Sequence, residues 1–158
     1  MQSTLSRRAV RAASSVSDEE RHARRELAAC YRLADRMGWS DLISAHISHR
    51  VPGEPDHYLI NPYGMLFDEI SASSLIKTDA QGTILSETDY SVNPAVLVIH
   101  AAILEARPDL ACVMHLHTLW GQTLAAMPSS DGGLLPCSQP ALRLWRRLGR
   151  HAYEGLAF

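Results

Sequence analysis

Around Pro108 the chain changes its hydrophobic period from that of a helix to that of a strand, and no other feature restricts the fold as much. Before it, Asn93-Pro94 offers an N-cap followed by proline at the first helical position, where the missing N–H costs nothing. Val96, His100, Ile103 and Leu104 then share one face at helical spacing. A proline disfavours helical geometry in the residue before it, so this helix stops near Ala106. A strand over 110–117 follows almost at once and ends in the run CVMHLHT, which carries His115 and His117.

The rest of the chain supplies partners for that strand. Ser17-Asp18-Glu19-Glu20 has the form of a capping box and starts a helix over about 18–37. Leu27, Tyr31 and Ala34, with Cys30 and Met37 beside them, line this helix, and Gly38 stands at a left-handed C-terminal cap. Ile43, Ala45, Ile47, His49 and Val51 alternate with Ser44, His46, Ser48 and Arg50, the pattern of a strand with one wetter face, closed by Pro52-Gly53. A short strand over 57–60 leads into the turn Asn61-Pro62-Tyr63-Gly64. Segments 75–78 and 83–85 flank Asp79-Ala80-Gln81-Gly82 as a hairpin. Together they predict one mainly antiparallel sheet, with modest helical character returning over 141–152 and no internal repeat.

Composition removes several function classes. The 158 residues are 46% hydrophobic, enough for a single domain with a real core. A net charge of −2 with 20% charged residues gives no basic surface for nucleic acid. No window approaches the roughly 18 consecutive apolar residues of a membrane helix. Cys30, Cys112 and Cys137 are widely separated, unlike a disulfide framework or a metal clip, so a reducing cytoplasm is the simplest setting. Residues 1–17 hold Arg7, Arg8 and Arg11, five serines and no acid. This is the composition of a disordered basic arm, shared with organelle transit peptides, and the folded domain is expected over 18–158.

Chemistry concentrates in the histidines. In an extended strand His115 and His117 point to one side, about 7 Å apart at the backbone, so one ion could reach both. Catalytic zinc takes at least three protein ligands, which makes the pair half a site; the alternative is two rim residues bonded to loops. His100, on the apolar face of its helix, reads as a satisfied core histidine. His46 shares a side with Ser44 and Ser48, a polar row that binds an anion or faces water. A lone His151 and the run Arg143, Arg146, Arg147 and Arg150 read as solvated. There is no GxSxG, no glycine-rich phosphate loop, and no histidine placed to activate Cys112 or Cys137.

The order AACYRLADRMGWSDLISAHISHRVPG, YLINPYGMLFDEISASSLIKTDAQG, HAAILEARPDLACVMHLHT and GLLPCSQPALRL resembles the class II aldolase/adducin family, in particular its adducin-like bacterial branch. The resemblance covers nearly everything from about residue 18 onward, and the ARPD turn followed by a strand ending in HxH is its most specific part. It implies a three-layer α/β/α sandwich with a mainly antiparallel central sheet. It also implies a zinc or other divalent ion held by His115 and His117, acting as a Lewis acid on a small hydroxylated carbonyl compound such as a sugar phosphate. Further implied are a small-molecule substrate and assembly into homo-oligomers, while charge and hydropathy lead to the expectation of no nucleic-acid or membrane partner.

Three departures bear on activity. The family's acid/base glutamate falls on Val96, and the serines before it on Pro94 and Ala95. The family's Gly-Asn substrate contact falls on Ala45-His46, and of the usual substrate loop only Gly64 is kept, leaving His46, Ser48 and Gly64 as substrate-side candidates. The family's third metal-binding histidine lies beyond the position of Phe158, so a chain truncated at its C-terminus, with an uncovered sheet edge, is expected. The alternative to a lyase is an adducin-like interaction domain, or an inactive member of the family.

Overall fold

Ser17 ends the arm by capping a 19-residue helix, α1 (Asp18–Arg36), its Oγ accepting the Glu20 N–H at 3.0 Å. A computed structural model describes residues 16–127, 139–144 and 147–149. The reciprocal half of the expected capping box does not form. The Glu20 carboxylate turns inward instead, accepting from Arg24 Nε at 2.8 Å and Lys77 Nζ at 3.0 Å, and Lys77 also reaches Glu54 at 2.7 Å. Two cations outcompete one backbone N–H because charge-assisted bonds are roughly twice as strong as neutral ones. At the other end Gly38, with φ +67°, donates to Asp35 O, and Trp39 donates to Ala34 O. This is the paired-bond cap that glycine permits.

Four strands follow: β1 (His46–Val51), β2 (Glu54–Ile60), β3 (Ile76–Asp79) and β4 (Cys112–His115), ordered β3-β2-β1-β4 with every pairing antiparallel. The first strand begins three residues later than its alternation suggests, because Leu42 takes a left-handed φ of +47° and Ser44 N–H closes a turn on Asp41 O. β2 begins earlier than expected, and β4 covers only half of 110–117, so His117 lies past its end. Beyond β3, Thr78 bridges Ile84 and Leu85 N–H bonds Lys77 O, as the hairpin pattern predicts.

Residues 94–106 form α2, in which a π segment (Leu97–Ala101) sits between α-helical turns Pro94–Val96 and Ala102–Ala106. The wider turn rotates the residues beyond it: Val96, His100 and Leu104 are buried as expected, but Ala101 joins them and Ile103 is 39% exposed. Arg50 of β1 ties down the end of α2 by donating to Leu104 O and Leu110 O.

The sheet is covered on both sides. Ala45, Ile47, Leu59 and Leu75 pack against Leu27, Ala28 and Tyr31 of α1. Tyr58, Ile60 and Ile76 pack on the other side against Val96, Ala101 and Leu104 of α2. The result is the three-layer α/β/α arrangement, and it corrects the reading of β1: its polar face is not wet, since His46 and Ser48 lie buried beneath α2. Thr118 caps α3 (Leu119–Ala126), accepting from Gly121 N–H at 3.1 Å. α4 (Gln139–Leu144) begins two residues before the expected 141–152, residues 147–149 are not helical, and the rest of that range lies outside the described residues. Arg143 and Arg147 are exposed, while Arg146, Arg150, His151, Cys137 and residues 1–15 lie outside the described residues. Among the described residues no helix is long and apolar enough to cross a membrane.

Candidate functional site

His46 and His115 stand directly opposite one another across β1 and β4, so antiparallel register alone places their rings together, with centroids 4.5 Å apart. His100 reaches the same face from the π segment of α2. The contacts run in a single row. Ser48 Oγ is 2.7 Å from His100 Nδ1, His100 Nε2 is 3.1 Å from His46 Nδ1, and His46 Nε2 is 3.3 Å from His115 Nδ1. His115 Nε2 is then 3.1 Å from His117 Nε2, and His117 Nδ1 is 2.7 Å from Asp41 Oδ2. The two histidines of the HxH run therefore do point to one side, although only His115 lies in the strand.

Burial sets the charge state of the row. Desolvation, helped by neighbouring imidazoles, pushes His46 down to about 3 and His100 down to about 4, and desolvation also lowers His115. These rings are neutral near pH 7, each with one donor and one acceptor nitrogen. Asp41 accepts the Nδ1–H of His117, which directs the Nε2 of that ring toward His115.

The pair fits a divalent cation in part. Zinc–nitrogen bonds of about 2.0–2.1 Å in a tetrahedral site put adjacent ligand nitrogens about 3.3 Å apart, close to the 3.1 Å between His115 Nε2 and His117 Nε2. Among the described residues no group of three or more His, Cys, Asp or Glu side chains is placed to hold a metal. The pair thus offers two of the protein ligands a catalytic zinc needs.

The other candidates are placed differently. Val96 is 1% exposed and packs with Ile60 and Ile76, an apolar position with no proton to give. His46 and Ser48 are committed to the row beneath α2, so neither opens a polar face to a soluble ligand. Gly64 lies in the exposed turn after β2 at φ +89°, and among the described residues no hydrogen bond joins it to the row. A cavity of about 1220 Å³ is bordered by Glu20, Arg24, Glu54 and Lys77, which are paired with one another, and none of the row borders it. Sequence reasoning missed Asp41 and the convergence of four histidines. The available signal was that His46 and Ser48 share one strand phase while His100 shares the apolar face of α2.

The chain is similar to several known proteins. A solved aldolase II superfamily protein from Pseudomonas syringae superposes with a TM-score of 0.85 at 47% identity, over 90% of this chain and 56% of that one. An L-fuculose 1-phosphate aldolase from Glaciozyma antarctica gives 0.76 at 25% identity, over 84% and 53%. Rat alpha-adducin is 46% identical over 139 residues, 87% of this chain but 18% of its own length. A Caulobacter vibrioides protein named after the class 2 aldolases is 49% identical over 142 residues, 90% of this chain and 54% of its own. The chain spans about half the length of the bacterial relatives it matches. Residues 25–155 match the class II aldolase and adducin N-terminal domain, and with these likenesses the chain belongs to the class II aldolase/adducin family.

Proposed function

We propose that this domain holds zinc or another divalent cation through His115 and His117 and belongs to a carbon–carbon lyase acting on a small hydroxylated carbonyl compound in the cytoplasm, assembled from several copies of the chain. The observation that carries this reading is the approach of His115 Nε2 to His117 Nε2 at 3.1 Å, with Asp41 on the far nitrogen of His117. A cation bound there would supply a Lewis acid for the carbonyl oxygen. The protein's own residues orient it: β4 holds His115 against His46, the Thr118 cap fixes the backbone just after His117, and Gln122 Nε2 donates to His117 O at 3.0 Å. Gly64 is the remaining substrate-side position, since its turn is exposed.

No acid/base is assigned, because Val96 occupies the glutamate position and cannot move protons. That substitution, with the likeness to alpha-adducin, favours a second reading, an interaction domain that keeps the fold without turnover. Metal analysis of the purified protein with the variants His115→Ala and His117→Ala, followed by a retro-aldol screen over phosphorylated and free hydroxy-ketones, separates them. Stoichiometric zinc lost in both variants, with weak turnover, supports the first reading. Absence of bound metal at any added concentration leaves the second.

A further inference from the structure

We infer that the outer face of α2 docks a second copy of this chain, the two α2 helices packing antiparallel about a two-fold axis. The inference rests on the assembly part of the proposed function and assigns a surface to it.

The observation is a helix without a polar side. Among residues 94–106 only Glu105 carries a fixed charge. Inward, Val96, His100, Ala101 and Leu104 are buried against the sheet. Outward, the exposed face consists of Ala95, Val98, Ile99, Ala102, Ile103 and Ala106, with Val98 74%, Ile99 51% and Ile103 39% exposed. α1, the helix of the opposite layer, has the ordinary pattern, since its exposed positions include Glu19, Arg21, Arg25, Glu26 and Arg32. A helix that is apolar all round is one that is covered all round, and a cluster of exposed branched side chains marks an interaction surface.

The face is complementary to itself. In a two-fold contact the same patch serves both copies. An antiparallel contact centred between His100 and Ala101 sets Ile99 against Ala102, Val98 against Ile103 and Ala95 against Ala106. The bulky Ile99 thus meets an alanine where the axes cross, so the helices can approach to the roughly 8–10 Å of ordinary helix packing. Charge selects the same direction. Glu105 comes to lie over the first turn of the other copy's α2, the positive end of its dipole, whereas parallel packing would set the two glutamates side by side at the negative ends. Arg107, just past the helix, is neutralised by Asp109 through contacts of 2.7 and 2.6 Å. A face about 20 Å long falls short of the roughly 1,200 Å² that a stable interface buries, so the contact is reversible and its population rises with concentration.

Two measurements on the full chain test this. In the first, the variant Val98→benzoylphenylalanine is mixed with nitrogen-15-labelled wild-type chain, illuminated, digested and read by mass spectrometry. The expected product joins the unlabelled α2 peptide to a labelled α2 peptide at or beside Ile103. A cross-link to another segment of the same chain, a labelled cross-link outside α2, or no cross-link at all overturns the inference. In the second, sedimentation over a range of concentrations compares wild type with Ile99→Glu and Ala102→Glu. Both positions are exposed, so the circular dichroism spectrum should not change, while self-association should weaken by about 100-fold as two carboxylates are brought together in an apolar contact. If both folded variants associate as the wild type does, this surface is wrong and the assembly reading survives. If wild type is monomeric at every concentration, both fail.

Discussion

The two ends of the sheet are built to different standards. From β3 to β1 the sheet is sandwiched, and Ile47, Leu59 and Ile76 are wholly buried between α1 and α2. Past β1 the cover thins: Met114 of β4 is 44% exposed, and Leu119 and Trp120 of α3 are 71% and 76% exposed. The histidine row crosses this seam. His46 and His100 are gripped by the packed side, His115 and His117 by the open side. One end of the row is therefore buried while the other is part-exposed.

The largest effect that sharpens this contrast is a paired truncation. Leu59→Ala should cost about 3–5 kcal/mol in urea-unfolding stability, whereas Leu119→Ala should stay within about 0.5 kcal/mol. Equal costs would erase the difference between the two ends.

Acid should strike the packed side next. Burial lowers His100 from 6.5 to about 4, so the unfolded chain takes up the proton first. The stability from its neutral form is complete above pH 6.5 and is lost as pH falls toward 4, about 3 kcal/mol in all. Chemical denaturation across that window should show the loss, and a flat profile would mean that His100 is not held in a dry site.

A smaller effect tests the start of α1. Ser17→Ala removes the acceptor for Glu20 N–H and should lower the melting temperature by an amount equivalent to about 1 kcal/mol. A loss several times larger would show that the buried Glu20 network depends on the cap.

Most of the scaffold was legible because its signals are local. Ser17, Gly38, Pro94 and Pro108 each act within a turn of chain, and they mark the limits of α1 and α2 to within a residue or two. The π segment was not legible, since nothing at Leu97–Ala101 departs from ordinary helical periodicity, and it shifted Ile103 off the buried face. The alternation in β1 was visible, but not its burial: a polar phase reads as solvated until α2 is known to cover it. For the site, the spacing of His115 and His117 was enough to place both rings on one side. Their connection to His46, His100 and Asp41 depends on cross-strand register and helix docking, which link residues 54 to 76 positions apart.

The central claim is that His115 and His117 share a divalent cation. Anomalous scattering at the zinc absorption edge, from crystals of the protein grown with Zn²⁺, tests it most directly. The expected result is a single peak within about 2.1 Å of both Nε2 atoms. Zinc located only elsewhere on the surface, with the two imidazoles still bonded to each other, would contradict it.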